Sequence, residues 1–363
     1  MTTMNPLLRL YALGQRIWLD NLSRTLLRDG TLKTMIKDDK IAGVTSNPSI
    51  FFKAISESPY YAEDLQQLKS NKTISAEQRY ETLAITDIQQ ACDLLLPMHK
   101  ASAGEDGYVS LEVSPVLAHD ADATVAAGLR LKAAVDRANL LIKVPATTAG
   151  LAAIEELIAQ GCSVNVTLMF SLSHVRAVAS AYVRGITRLL EGGGDARKVK
   201  SVASLFLSRV DTLLDKRLEA IGGDALALRG RSAVALAKLA FQDNRKTFGD
   251  KAFSALAKRG ARPQTMLWAS TGTKNPAYSD VLYVDSLIGP RTVNTVPDAT
   301  LAAFREHGRA EATLEKDIEG AEDQFAALQG LGIDLDAIGE ELQTDGLKQF
   351  EDAYQKLLAL TAN

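Results

Sequence analysis

Cysteine is almost missing from this chain. Cys92 and Cys162 stand far apart and in no spaced pair. The sequence therefore carries neither a disulfide framework nor a thiolate metal motif, and a reduced, cytoplasmic compartment is the simple reading. Histidine is scarce as well: His99, His119, His174 and His307 show no HxH or HExxH spacing, which argues against a histidine-bound metal. His119, in a loop near Glu112, either lines a site or is merely solvated. No apolar stretch reaches the roughly 18 residues that suggest a membrane span. The opening MTTMNPLLRLYALGQRIW has Arg9 among its apolar residues and no small-residue cleavage site, so no secretory leader is expected. Neither sign of charge dominates: 41 basic against 44 acidic residues, net −3, gives no support for nucleic-acid or anionic-membrane partners. No GxGxxG follows a strand-like run, which weighs against a dinucleotide fold. The glycines at 192–194 follow a helical stretch and read as a helix stop rather than a phosphate cradle.

What is present is ordinary globular composition, 46% hydrophobic and 23% charged over 363 residues. Short strand-like runs alternate with amphipathic helical stretches. Eight runs stand out, at 17–21, 43–50, 108–114, 140–145, 163–170, 201–209, 263–270 and 292–296. Helical patterns lie between them, for example at 75–98, 123–135, 149–160, 173–191 and 231–259, with Gly161 where a helix-ending glycine is expected. Alternation argues for a parallel sheet with helices outside, and eight repeats argue for closure into a (β/α)8 TIM barrel. Length alone would allow two domains, but barrels of this size are often single. The expectation is one barrel domain over 1–363, with 298–363 as a C-terminal helical extension packed on it, over its mouth or elsewhere.

The run 139–148, NLLIKVPATT, holds the most informative residue. Leu140, Leu141, Ile142 and Val144 surround Lys143, and Pro145 ends the run, the pattern of a buried parallel strand. Burial disfavours the charged form of a lysine, and the neutral amine is what attacks a carbonyl. The alternative is a stem packed in the core with its head snorkelling to solvent or paired with an acid. Strand parity favours chemistry. Successive strand side chains point to opposite faces. Ser110 and Glu112 oppose Val109 and Leu111; Asn165 and Thr167 oppose Val164 and Val166; Ser204 and Phe206 oppose Ala203 and Leu205; Thr45 and Asn47 share a face. A barrel interior is normally filled with branched apolar side chains. A polar one, costing about 1–3 kcal/mol per unpaired group, marks a site. Asp20, sharing parity with Trp18, is the other inward carboxylate. It either pairs with Lys143 or caps a turn, or it works as an acid/base beside the amine.

Taken together, IWLDNLSR, GVTSNPSIFFKAI, SLEVSPVLAHD, LIKVPATTAGLAAI and NVTLMFSL resemble the transaldolase family. WASTGTKNPAYSDVLYVDSLIGPRTVNTVP is similar to its longer bacterial and plant-type subgroup. The resemblance implies a permuted class I aldolase-like barrel with a Schiff-base lysine on strand four, where the independent count also puts Lys143. It implies transfer of a dihydroxyacetone unit between phosphosugars in the pentose phosphate pathway. Sedoheptulose 7-phosphate and fructose 6-phosphate would be donors, and glyceraldehyde 3-phosphate and erythrose 4-phosphate acceptors. No metal or organic cofactor is implied. Residue by residue, Lys143 matches the Schiff-base amine and Asp20 the acid/base, while Glu112 and Thr167 match the pair that handles a water. Asn47, Asn165 and Ser204 match residues holding the hydroxyls of the three-carbon unit. Phe206 matches a residue near the imine where smaller enzymes of the superfamily place a tyrosine. Arg209 and Ser270 match phosphate ligands. The better-known subgroup has an arginine two places after that serine; this chain has Gly272 there. Lys274 takes the phosphate role in this reading, or is a solvated loop lysine.

Two other readings stay open on sequence. One is a Schiff-base aldolase releasing free dihydroxyacetone or acting on a related sugar phosphate. The other is a catalytically silent barrel, against which the retained Lys143, Asp20, Glu112 and Thr167 argue. Small-molecule phosphosugars are the expected partners, with the chain a monomer or homodimer.

Overall fold

The computed structural model describes residues 5–362, with the backbone alone at 250–252. The first four residues of the stretch read for a leader lie outside the described residues. Eight parallel strands close into a barrel in sequence order: β1 (Gln15–Leu19), β2 (Gly43–Val44), β3 (Tyr108–Glu112), β4 (Leu140–Pro145), β5 (Val164–Met169), β6 (Ser201–Phe206), β7 (Thr265–Ala269) and β8 (Thr292–Val296). Strand β1 pairs with both β2 and β8, which completes the ring. The eight expected runs are all present, and β4 and β8 have the expected bounds.

The largest departure is the second run. Pairing stops at Val44, and Pro48–Glu57 is a helix where extended chain to residue 50 was expected. Pro48 lacks an N–H and its fixed φ suits a first helical turn, while the Asn47 side chain accepts from Ile50 N at 3.0 Å as the N-cap. The strand-parity argument for Asn47 was therefore the wrong reason for its position. Arg209, read at the end of the sixth run, belongs instead to the first turn of the helix Ser208–Ile221. The single helical pattern at 231–259 breaks at Gly249 into Ser232–Phe248 and Asp250–Ala257. Elsewhere the patterns hold: Ser75 and Gln78 form a capping box on Ala76–Ala101, and Gly161, at φ +71°, follows the helix Thr148–Ala159.

Register sets the interior. Glu112 pairs with Lys143, and Lys143 with Asn165, so their side chains share one face across three strands. Below them Trp18, Leu141, Val202, Leu267 and Val293 have the same inward parity and are buried, forming an apolar floor. Trp18 lies so close over Gly43 that a β-carbon there would come within 2.6 Å of the indole, so only glycine fits. On the outer face Ile142, Val144, Val164 and Val166 meet helices carrying Ile154, Leu157 and Ile158. Each such side chain contributes about 1.5–3 kcal/mol by leaving water.

After β8 the chain forms helices Asp298–His307, Ile318–Gly330 and Leu335–Thr361. The last lies against the C-terminal ends of the strands: Gln343 Nε2 donates to the carbonyls of Ala146 and Leu168 at 3.1 and 3.0 Å. No helix among the described residues is long and apolar enough to cross a membrane.

Candidate active site

A cavity of about 210 Å³ opens at the C-terminal ends of the strands. It is lined by Asp20, Thr45, Asn47, Lys143, Asn165, Thr167, Ser204, Phe206, Arg209, Ser270 and Lys274, together with Thr271, Thr295 and Phe350. Every residue matched on sequence to a catalytic or substrate-binding role thus borders one space except Glu112, which stands directly behind Lys143. A larger hollow of about 510 Å³ lies among outer helices against Phe170, Leu214, Phe325 and Ile338; it is mostly apolar and holds neither the lysine nor an inward carboxylate. Size alone would choose it, but the chemistry is in the smaller one.

Lys143 is buried on β4. Its Nζ donates to Glu112 Oε2 at 3.1 Å and to the carbonyl of Ser46 at 3.2 Å. Its stem does not carry the head to bulk solvent, which removes the snorkelling alternative. Burial raises the Glu112 carboxyl above the ordinary range, the charge and hydrogen bond of Lys143 pull it back, and Asp20 pushes it up again. Asp20 is likewise raised, first by burial, against the lowering effects of Lys143 and of a 2.7 Å hydrogen bond from Thr45 Oγ1. Thr45 Oγ1 also lies 2.7 Å from Thr295 Oγ1, so two hydroxyls fix the orientation of the Asp20 carboxylate. Two weakened acids therefore share the surroundings of one amine, an arrangement suited to passing protons to and from it.

A polar string continues round the wall. Ser204 Oγ donates to Asn165 Oδ1 at 2.7 Å, and Asn165 Nδ2 donates to Ser110 Oγ at 3.0 Å. Both Asn165 amide groups are thus oriented by protein partners. Asn47 spends its oxygen on the helix cap, which leaves its NH₂ for a ligand. Thr167 Oγ1 is buried with no hydrogen-bond partner. Phe206 packs on Phe170 with ring centroids 5.3 Å apart, and the Arg209 guanidinium sits 5.7 Å from the Phe206 ring. Arg209 Nη1 is also buried without a partner, and desolvation lowers the guanidinium pKa. An orphaned cationic donor at a cavity wall is poised for an oxyanion. Ser270, at φ +53°, bonds Ser208 Oγ at 2.8 Å and accepts Ser208 N, tying the end of β7 to the helix that carries Arg209. Lys274 is exposed at the rim. His119 is exposed and does not border the cavity. Among the described residues no three His, Cys, Asp or Glu side chains are grouped to hold a metal.

Residues 17–361 match the family model described as Transaldolase/Fructose-6-phosphate aldolase. The chain belongs to that family. Within the transaldolase/fructose-6-phosphate aldolase family it is 56% identical over 348 residues to the transaldolase of Thiobacillus denitrificans, covering 96% of this chain and 97% of that protein. It is 51% identical to that of Neisseria gonorrhoeae over 348 residues, at the same shares of each chain. With the Frankia alni protein it shares 46% identity over 360 residues, covering 99% of this chain and 97% of the other.

Sequence reasoning did not find Thr45 as a support of Asp20, nor Thr295, Thr271 or Phe350 at the cavity. Thr45 had been seen to face inward, which was a usable signal. Phe350 sits in an ordinary apolar stripe and carries none.

Proposed function

We propose that this chain is a transaldolase that carries a dihydroxyacetone unit from a ketose phosphate to an aldose phosphate through a Schiff base on Lys143. The observation that carries the reading is the placement of the Lys143 nitrogen, 3.1 Å from Glu112 at the wall of a polar cavity. Sedoheptulose 7-phosphate and fructose 6-phosphate are the donors, and glyceraldehyde 3-phosphate and erythrose 4-phosphate the acceptors, as in the pentose phosphate pathway.

Glu112 takes a proton from the Lys143 ammonium, and the amine adds to the donor carbonyl. Glu112 returns that proton to the carbinolamine hydroxyl, which leaves as water and is held by the unpartnered Thr167 hydroxyl. Asp20, held by Thr45, removes the proton from the C4 hydroxyl. The C3–C4 bond then breaks, its electrons are drawn into the iminium, and an enamine and a free aldehyde result. The acceptor enters and the steps run backwards. Asn47, Asn165 and Ser204 hold the hydroxyls of the three-carbon unit, while Arg209, Ser270 and Lys274 meet the phosphate. The residues from 298 onward complete a single catalytic barrel unit rather than a separate domain. The protein works in the cytoplasm as a monomer or homodimer.

Borohydride reduction in the presence of fructose 6-phosphate, followed by mass spectrometry of peptides, tests the reading: the three-carbon adduct is expected on Lys143. The family description also covers fructose-6-phosphate aldolases, and Phe206, which lines the same cavity as Lys143, is the feature set against that alternative. If sugar turnover proceeds equally without erythrose 4-phosphate, the aldolase reading replaces the transferase one.

A further inference from the structure

The helix Leu335–Thr361 reaches the chemistry at one point. Among the described residues lining the cavity, Phe350 alone comes from this helix. Its ring is buried and its centroid lies 5.4 Å from the Lys143 nitrogen. Contacts along one helix face, at positions 339, 343, 346 and 350, fix that placement. At Gly339 a β-carbon would come within 2.7 Å of Ser171 Cβ, so the backbone itself rests on the loop after β5. His174 Nδ1 accepts from Phe170 N, so Nε2 carries the hydrogen and donates to Glu340 at 2.9 Å. Gln343 holds the two strand-end carbonyls. At Gly346 a β-carbon would lie 3.0 Å from Leu168 and 3.3 Å from Arg209 Nη1, which leaves little room for any larger residue. One turn further on, Phe350 covers the amine.

We propose that Phe350 is a specificity-determining residue: it keeps water from the Lys143 enamine, so that the three-carbon unit passes to an aldehyde instead of being released. This rests on the Schiff-base reading above. The enamine has two fates. In transfer, its carbon attacks the acceptor aldehyde, and the new alkoxide takes the proton held by Asp20. In release, a water that reaches the same carbon gives it a proton and takes the one held by Asp20, and the iminium of dihydroxyacetone results. In both fates water then adds to the iminium carbon and gives a proton to Glu112, the C–N bond breaks, and Lys143 leaves as an amine that takes that proton back. No further reactant is needed in either case. A phenyl ring offers water neither donor nor acceptor, so it denies a site to the water that would protonate the enamine carbon.

The test compares wild type with Phe350→Ala and Phe350→Leu, supplied with fructose 6-phosphate with and without erythrose 4-phosphate. Dihydroxyacetone release is measured against sedoheptulose 7-phosphate formation. The release-to-transfer ratio is expected to rise about tenfold in Phe350→Ala and less in Phe350→Leu, with the reduced adduct still forming on Lys143. Because the ratio compares two fates of one enamine, a smaller fraction of folded enzyme lowers both rates and leaves it unchanged. An unchanged ratio in a variant that forms the adduct overturns the proposal. If Phe350→Ala does not fold, Phe350→Leu, which stays apolar and close in volume, decides by the same ratio. Failure of the wild-type protein to form an adduct refutes the Schiff-base reading instead, so the two failures are distinguishable.

Discussion

Two buried charge clusters in this molecule are built to opposite ends. In the first, Arg24 Nε donates to Asp87 Oδ1 at 2.9 Å, and its Nη1 donates to Asp64 and to the carbonyl of Tyr60. Tyr61 donates to Asp87 Oδ2 at 2.6 Å, and the guanidinium lies 4.6 Å from the Tyr61 ring. Among the described residues no sealed polar atom of that cluster lacks a partner, and none of its side chains lines the cavity at the strand ends. In the second, Lys143, Glu112 and Asp20 border or back a cavity where Thr167 Oγ1 and Arg209 Nη1 are left unpartnered. Burial raises the carboxylates Asp87, Glu112 and Asp20 alike. A perturbed acid therefore does not distinguish structure from chemistry here; unfinished hydrogen bonding beside an empty space does.

That contrast can be broken in several ways. The largest effect is expected from Lys143→Met: loss of the borohydride adduct and a fall in transfer on the order of 10⁴-fold or more, with the far-ultraviolet circular dichroism unchanged. Arg24→Met leaves Asp87 buried and uncompensated. It should cost about 3–5 kcal/mol in urea unfolding while kcat and KM of the folded enzyme stay put; a drop in kcat would erase the distinction between the clusters. Asp20→Asn is expected to lower turnover about 10²–10⁴-fold yet still permit imine formation, so that adduct and turnover separate.

A fourth buried acid sharpens the picture. Asp211 accepts from Ala233 N at 2.8 Å and from Tyr283 Oη at 2.8 Å, and burial pushes its pKa up from 3.8 to about 6. The folded state holds this proton longer than the unfolded one. Stability from this group is therefore complete below about pH 4 and is lost as pH rises to about 6, by about 3 kcal/mol. Between pH 4 and 7 the unfolding free energy of wild type should fall more steeply than that of Asp211→Asn, by about that amount. Smallest is Arg209→Gln, for which KM for phosphosugars should rise about tenfold to a hundredfold, the worth of a charged hydrogen bond, while imine formation with unphosphorylated dihydroxyacetone is unaffected.

Much of this site could be read in advance. Lys143, Asn165, Thr167 and Ser204 announced themselves because a polar residue at an inward position of an otherwise apolar strand is costly and has to be matched. Glu112 was legible for the same reason, though it backs the lysine instead of lining the cavity. Asn47 was placed correctly on a false premise, since Pro48 converts the expected strand into a capped helix. Arg209 needed the resemblance: in a helix's first turn its guanidinium looks like any surface charge until its buried nitrogen is seen. Lys274 is at the rim, as either reading of it allowed.

The sequence by itself determined the strand–helix alternation, the closure in chain order and the face of β4 on which the amine emerges, because period and parity are local properties of a chain. It left open what would stand over that amine. Phe350, in the stripe with Leu342, Leu347 and Tyr354, is one more core residue by its spacing. Only the docking of Leu335–Thr361 across the strand ends, held by Gln343 and the bare backbone at Gly339 and Gly346, set its ring above Lys143. Periodicity tells a helix which face to bury and says nothing about which distant surface will receive it.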